Sequence, residues 1–408
     1  MDEFDKKKIE EMYLNPSAMQ EREPRKWLVF VIILIILLGG SWFFMKKHKQ
    51  DREGRLIDLN DGKTKQYSNA NDGEVSPISG LACENWNRRP IAVMQPSDPD
   101  ARPAAGFSQA DMVIEMPVIT AGITRLMGIY ICNLPEEVGS MRSARHDFIH
   151  LAKGLDAIFV SWGRSEAHSE VDTVGLAEGI LNRKEIDNIN CNSDAGVSFN
   201  ECSDPQSVCF RKEGITSGLH NAYGHPQGMM KCSQELGYRL ENKFSGYPHK
   251  EELPLKERPQ SGNLRVGFAG VYGVNYEYDQ KTNSYQRIWG GEADVDRNNG
   301  KRIAPKNIVV MIARSEQIEG QYNNVQLGDP WYDEIESGQA FYYVNGQEIK
   351  GSWKKSRSSI SSKLIFLDDK GVEVQFVPGQ IWVEILEPGQ TLKWRTERTE
   401  SNNTTTPS

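Results

Sequence analysis

The 408-residue chain lacks the signatures of the common ligand sites. It has no glycine-rich phosphate loop, no dinucleotide-binding fingerprint and no EF-hand loop. It has no CxxC pair, and no His/Cys spacing matches a zinc site. His146 and His150 form an HxxxH pair without the glutamate of a zincin motif, so a solvated helix face explains them and no metal is expected. No cofactor is expected either. An excess of basic charge is also missing. The 48 Lys and Arg are outnumbered by 56 Asp and Glu, for a net charge of −8. That excludes a basic nucleic-acid binder and points to no acidic partner. No internal repeat is present.

Charge is absent from one stretch, "WLVFVIILIILLGGSWFFM" (Trp27–Met45). Nineteen residues at 1.5 Å per residue span about 28 Å, enough to cross a bilayer's hydrocarbon core. Trp27, Trp42, Phe43 and Phe44 flank it, as interfacial aromatics do. It has no small-residue cleavage site and no nearby cysteine for a lipid, so it is read as an uncleaved single-span anchor. Charge alone slightly favours the large C-terminal part inside the cell. The cysteines oppose this. Six of them lie between residues 83 and 232, and an even number without metal spacing favours disulfides on an oxidising side. Fifteen pairings are open to six cysteines.

Around the anchor, residues 1–26 read as a charged tail, 46–79 as a polar tether and 391–408 as a disordered end. Residues 80–250 alternate strands and helices ("RPIAVMQ", "ADMVIEMPV", "TRLMGIYIC", a helix over about Ser143–Lys153, then "LDAIFVSWG"). That alternation argues an α/β, or α+β, domain. Residues 183–215 read as an insertion pinned by disulfides, and 251–262 as a proline-containing linker. Residues 263–390 are strand-rich, with a hairpin at Asn345-Gly346 and strands around Asp369-Lys370-Gly371. They form a mostly antiparallel β domain.

Four stretches offer chemistry. "VGSMRSARHDFIHLA" places Arg142 and Arg145 three apart at a helix start, where convergent guanidiniums and unpaired N–H groups suit an anion. The same arginines could instead pair with Asp111, Glu115 or Glu137. "GRSEA" (Gly163–Ala167) sits where a nucleophile elbow would, but its last glycine is replaced, and Ser165 or Ser169 reads better as a helix cap. "SGLHNAYGHP" holds His220, Asn221 and His225 in a loop, where a histidine can serve as acid or base. "GSWKKSRSS" joins Trp353 to Lys354, Lys355 and Arg357 and reads as a basic hairpin edge.

Taken in order, "RPIAVM", "SQADMVIEM", "GITRLMGIY", "VGSMRSAR", "DAIFVSWG" and "LHNAYG" resemble the N-terminal domain of the YerB-type bacterial surface lipoproteins. "YEYDQKTNSYQR", "NIVVM", "FYYVNGQEIKGSW" and "VPGQIWVEI" resemble that family's C-terminal domain. The resemblance covers about residues 88–390. It implies an extracytoplasmic domain pair, here on a spanning helix in place of a lipid. It marks Asp111 and Glu115, Gly122, Thr124 and Arg125, Gly139, Arg142, Ser143, Ala144 and Arg145, and His220 with Asn221. It implies no reaction. Two functions are therefore carried forward. In the first, an envelope protein binds an anionic polymer or partner protein through Asp111, Arg125, Arg142, Ser143, Arg145 and Asn221. In the second, a hydrolase or transferase uses Glu115 or His220 as acid/base while the arginines stabilise negative charge.

Overall fold

The computed structural model describes residues 74–119, 122–165, 175–215, 218–319 and 322–397. The expected span Trp27–Met45, the tail before it and the tether up to residue 73 lie outside these. Among the described residues no helix is long and apolar enough to cross a membrane.

The described chain is mostly β and is organised around one ten-stranded sheet. Its strands are β1 (Ile91–Pro96), β2 (Met112–Pro117), β3 (Thr124–Tyr130), β4 (Ile158–Ser161) and β5 (Asn188–Asn190) from the N-terminal half. The C-terminal half adds β6 (Asn307–Ile312), β7 (Ser337–Val344), β8 (Gln347–Lys354), β9 (Ile365–Asp368) and β10 (Ile381–Leu386). The spatial order is β9-β8-β7-β6-β10-β2-β3-β1-β4-β5. The seam between the halves is the parallel pair β10–β2, with Ile381 opposite Met112 and Glu384 opposite Glu115.

Strands at the centre are covered on both faces, which is why "MVIEMP" and "IWVEIL" are buried throughout. On one face Met112, Ile114, Met116, Met127 and Ile129 meet α1 (His146–Gly154) and α2 (Ala177–Asn182). On the other, Val113, Leu126, Trp382 and Leu386 meet a second, five-stranded sheet and α3 (Pro226–Glu235).

Several expectations change. Residues 80–250 and 263–390 share the ten-stranded sheet rather than each closing on its own, because β10 enters the middle of it between β2 and β6. β10 is parallel to both, so the C-terminal half is not simply antiparallel. Of the strands expected around Asp369-Lys370-Gly371, β9 forms, and the chain just beyond the turn makes only isolated bridges, at Glu373 and Phe376. Thr391–Glu397, expected as a loose end, is a strand paired with Ser261–Gly267, since Leu392 and Trp394 alternate onto the core. Ser76, Ile78 and Ser79, expected in the tether, are buried. Trp353 and Lys355 face inward rather than forming a basic surface edge: Trp353 packs in the core with its indole N–H on the Ile312 carbonyl, and Lys355 is held against Gly328 and Glu336. The hairpin at Asn345-Gly346 forms as expected. Both residues have positive φ (55° and 71°), the requirement of the tight two-residue turn.

All six cysteines pair: Cys83–Cys132, Cys191–Cys209 and Cys202–Cys232. The first ties the residues before β1 to the end of β3. The other two pin the 183–215 segment, one of them to α3.

The N-terminal lead-in is also held by His249. A Cβ at Gly80, where φ is +67°, would lie 2.4 Å from the His249 ring, so only glycine fits. Burial pushes the His249 imidazole from 6.5 down to about 4. Between those values the unfolded chain holds a proton that the native chain does not, so stability falls as pH drops from 6.5 towards 4. Relative to His249→Leu, the wild type should lose about 2 kcal/mol between pH 7 and pH 5 in urea unfolding. Equal losses in both proteins would contradict this.

Candidate functional site

The segment Met141–Arg145 is the structural hinge of the candidate site. It is extended rather than helical, since α1 begins at His146 and Arg145 is its N-cap. Four neighbours hold it. Met141 N–H donates to the Ala222 carbonyl at 2.6 Å and Arg142 N–H to the Met94 carbonyl at 2.9 Å. Ala144 N–H donates to the Gly163 carbonyl at 2.9 Å, and its own carbonyl accepts from Ser165 N–H at 3.1 Å. The end of β1, the loop after β4 and the strand following His220-Asn221 therefore meet at "RSAR".

Arg142 and Arg145 come together with Arg125 from β3. Arg125 is buried and donates to the Ser143 carbonyl at 2.9 Å. Arg145 is buried, donates to the Ala144 carbonyl at 2.8 Å, and stacks its guanidinium 3.8 Å above the Tyr322 ring. Arg142 is the most open of the three and lies 3.8 Å from the Asp98 carboxylate. Among the described residues, the Nε atoms of all three have no hydrogen-bond partner. Burial, then Arg145 and Arg142, push the Arg125 guanidinium well below its ordinary range. His220 lies against the same group, lowered first by burial and then by Arg142.

The other expected ligands are engaged elsewhere. Asp111 is buried and accepts from Ser76 Oγ (2.8 Å), Ser79 Oγ (2.6 Å), Ile131 N–H (2.7 Å) and Cys132 N–H (3.1 Å), which fills its capacity. Asn221 Oδ1 accepts from Arg211 at 2.8 Å. Ser143 lends its carbonyl rather than a hydroxyl contact. Ser165 is buried and its hydroxyl bonds the Ala144 carbonyl at 3.3 Å, so it neither caps α2 nor faces a base. Ser169 lies outside the described residues.

Glu115 cannot act as an acid or base for a ligand at the arginines. Side chains alternate across a strand, so Glu115 projects on the face of Val113 and Arg125 on the face of Met127. Glu115 is fully buried and accepts from Ser97 Oγ (3.1 Å), Thr124 Oγ1 (2.5 Å) and Arg287 (2.5 Å). Arg287 also binds Asp294, and Arg102 reaches Asp294 at 3.2 Å. Glu384 faces Glu115 across the seam and accepts from the Tyr276 hydroxyl. Burial, then Glu115, push the Glu384 carboxyl up to about 8, so it is a neutral acid at pH 7.

The helix start expected to receive an anion already has one. Glu319 bonds Ala177 N–H at the start of α2 (2.9 Å) and His146 N–H at the start of α1 (3.4 Å). His146 and His150, expected on a solvated face, are both buried, because Glu319, residues 329–333 and Lys355 lie over that side of α1. There His146 Nε2 meets Asp329 Oδ2 at 3.1 Å, and donor atoms of His146, Asp329 and Asp333 lie within 4.8 Å of one another. Burial opposes charge on His146, but Asp329 and Glu319 outweigh it and raise the imidazole well above its ordinary value. Glu319, Tyr322, Asp329 and Asp333 come from the C-terminal half and carry no local motif, so sequence reading passed over them.

The family profiles for the protein of unknown function DUF3048 match this chain at residues 78–239 (N-terminal domain) and 264–383 (C-terminal domain). The YerB protein of Bacillus subtilis (strain 168), named as a candidate lipoprotein, is 29% identical over 318 residues. The match covers 76% of this chain and 86% of YerB. The crystal structure of YerB from Bacillus subtilis superposes with a TM-score of 0.63 at 27% identity, covering 79% of this chain and 99% of that one.

The glutamate pair at the seam yields an asymmetric expectation. Arg287→Met should cost about 3–5 kcal/mol, because it leaves Glu115 without its cation in the interior while Asp294 keeps only Arg102. Glu384→Gln, replacing a group already neutral, should cost less than about 1.5 kcal/mol. Denaturant midpoints test both, and equal costs would contradict the assigned charge states.

Proposed function

Because the chain belongs to the YerB-like family of two-part domains, whose members share architecture rather than a known reaction, we propose a function from its own geometry. It is a membrane-anchored, extracytoplasmic envelope protein that binds an anionic group through Arg125, Arg142 and Arg145. One observation carries the reading: three mutually repelling guanidiniums meet, and among the described residues the only carboxylate paired with any of them is Asp98, 3.8 Å from the half-open Arg142. Buried like charges are costly, and each charge buried without a partner costs more. A phosphate or carboxylate placed among them removes the repulsion and accepts from the N–H groups left over. Glu319 partly offsets Arg145 and Asp98 partly offsets Arg142, so Arg125, lowered furthest by burial and then by its neighbours, is the charge that most needs the ligand. The ligand class is a phosphoryl or carboxylate group, on an envelope polymer or on an acidic segment of a partner protein.

Anchoring rests on the uncharged run Trp27–Met45, and outside placement on the three disulfides. Protease added to intact cells should digest the large domain; complete protection would overturn the orientation.

For the ligand, the full chain in detergent is heated with inorganic phosphate or pyrophosphate, against chloride at matched ionic strength. Phosphate should raise the wild-type Tm. Arg125→Met should be more stable than wild type by about 1 kcal/mol without ligand, because repulsion is relieved. It should also lose the phosphate response. A wild type that responds equally to chloride, or variants Arg125→Met and Arg142→Met that keep the full response, would sink the reading.

A further inference from the structure

We infer that His146, Asp329 and Asp333, joined by His150, form a binding site for one divalent transition metal ion, distinct from the arginine site. The loop Leu327–Asp333 turns two carboxylates inward, and backbone N–H groups occupy only one oxygen of each. Asp329 Oδ1 accepts from Trp331 N–H (2.6 Å) and Tyr332 N–H (3.0 Å), while its Oδ2 points to His146. Asp333 Oδ2 accepts from Leu327 and Asp329 N–H, while its Oδ1 is buried with no partner among the described residues. The backbone thus fixes one oxygen of each carboxylate; the other meets His146 Nε2 in Asp329 and is left unpartnered in Asp333. These three side chains supply one donor atom each within 4.8 Å of one another.

His150 is the independent observation. One turn after His146 on α1, it is 1% exposed, and neither of its ring nitrogens has a hydrogen-bond partner among the described residues. Its ring stands edge-on to His146 and to Trp331, with centroids 5.7 and 5.6 Å away, and within electrostatic reach of Asp329. It lies outside the set of donor atoms within 4.8 Å, so it would join the site by turning its ring. A buried imidazole with two idle nitrogens is costly for an inert core position and natural for a metal ligand.

The group behind His146 also fits. Metal-bound histidines usually pass their other N–H to a carboxylate. The Glu319 carboxylate lies 3.7 Å from His146 Nδ1, and its own position is fixed by the two helix starts. Two imidazoles with two carboxylates suit Zn²⁺ or Mn²⁺ better than Mg²⁺ or Ca²⁺, which prefer all-oxygen shells. Lys355 is the rival cation. Its ammonium is buried, is held only by a 3.5 Å contact to the Gly328 carbonyl, and faces Asp329 and Asp333.

The test uses the full chain in detergent, stripped with a chelator and titrated with Zn²⁺, Mn²⁺, Mg²⁺ or Ca²⁺. Bound metal and Tm are measured, and Co²⁺ visible absorbance reports the ligand set. The expected result is one Zn²⁺ or Mn²⁺ per chain with a raised Tm. Asp333→Asn and His150→Gln should weaken binding at least about tenfold and change the Co²⁺ spectrum, and Glu319→Gln should weaken it about 10–100-fold. Lys355→Met separates a metal site from a self-neutralised cluster even if the ligand variants fail to fold. It should tighten Zn²⁺ binding about tenfold, since a competing cation is gone. No retained metal, a response to Mg²⁺ or Ca²⁺ alone, binding that survives Asp333→Asn and His150→Gln, or a Lys355→Met protein that is destabilised without tighter binding would each overturn the inference.

Discussion

Arg287 is the charge on which the two halves of the chain depend. Parallel pairing of β2 with β10 sets Glu115 opposite Glu384, and both are fully buried. Two ionised carboxylates at that spacing in a dry interior would drive the strands apart. Arg287, projecting from the second sheet, binds Glu115 and Asp294, and Glu384 remains protonated under the Tyr276 hydroxyl. The second sheet is therefore more than a lid on an apolar face: it supplies the cation that lets the seam close. An N-terminal half lacking residues 263–390 would leave Glu115 without its arginine and β2 without its neighbour.

Glu319 works in a similar way on the opposite face. One carboxylate accepts from the first N–H groups of both α1 and α2 and lies beside His146 and Arg145. Hydrogen bonding to His146 overcomes burial and holds it down at about 2. A residue from the C-terminal half thus completes two helix starts in the N-terminal half. The arginine group and the His146–Asp329–Asp333 cluster lie on either side of it. The region around "RSAR" is consequently an interface within the molecule, assembled from β1, β3, Gly163–Ser165, His220–Ala222, Glu319 and Tyr322.

Local patterns carried the elements well. Apolar runs bounded by polar residues located β1 to β4, the period of Phe148, Leu151 and Ala152 located α1, and Asn345-Gly346 located its hairpin. The arginines were legible as well, because two guanidiniums near a helix start form a short-range signal. Glu115 was misread because alternation puts it and Arg125 on opposite faces, which shows only when the strands are paired. His146 and His150 were misread because an i, i+4 pair on a helix looks the same whether water or another loop covers it. Residues 391–397 looked like a loose end because Leu392 and Trp394 offer only two apolar positions, and their partner strand begins 130 residues earlier at Ser261.

By itself, then, the sequence determined the uncharged run, the strand and helix positions, the even set of cysteines and the "RSAR" arginines, all properties of neighbouring residues. Tertiary structure alone decided which cysteines join, that both halves share one sheet, and which charges are neutralised from afar. The reason is physical. A charge's burial and its counter-charge depend on through-space distance, and here Glu115 and Arg287, or His146 and Asp329, are separated by more than 170 residues of chain.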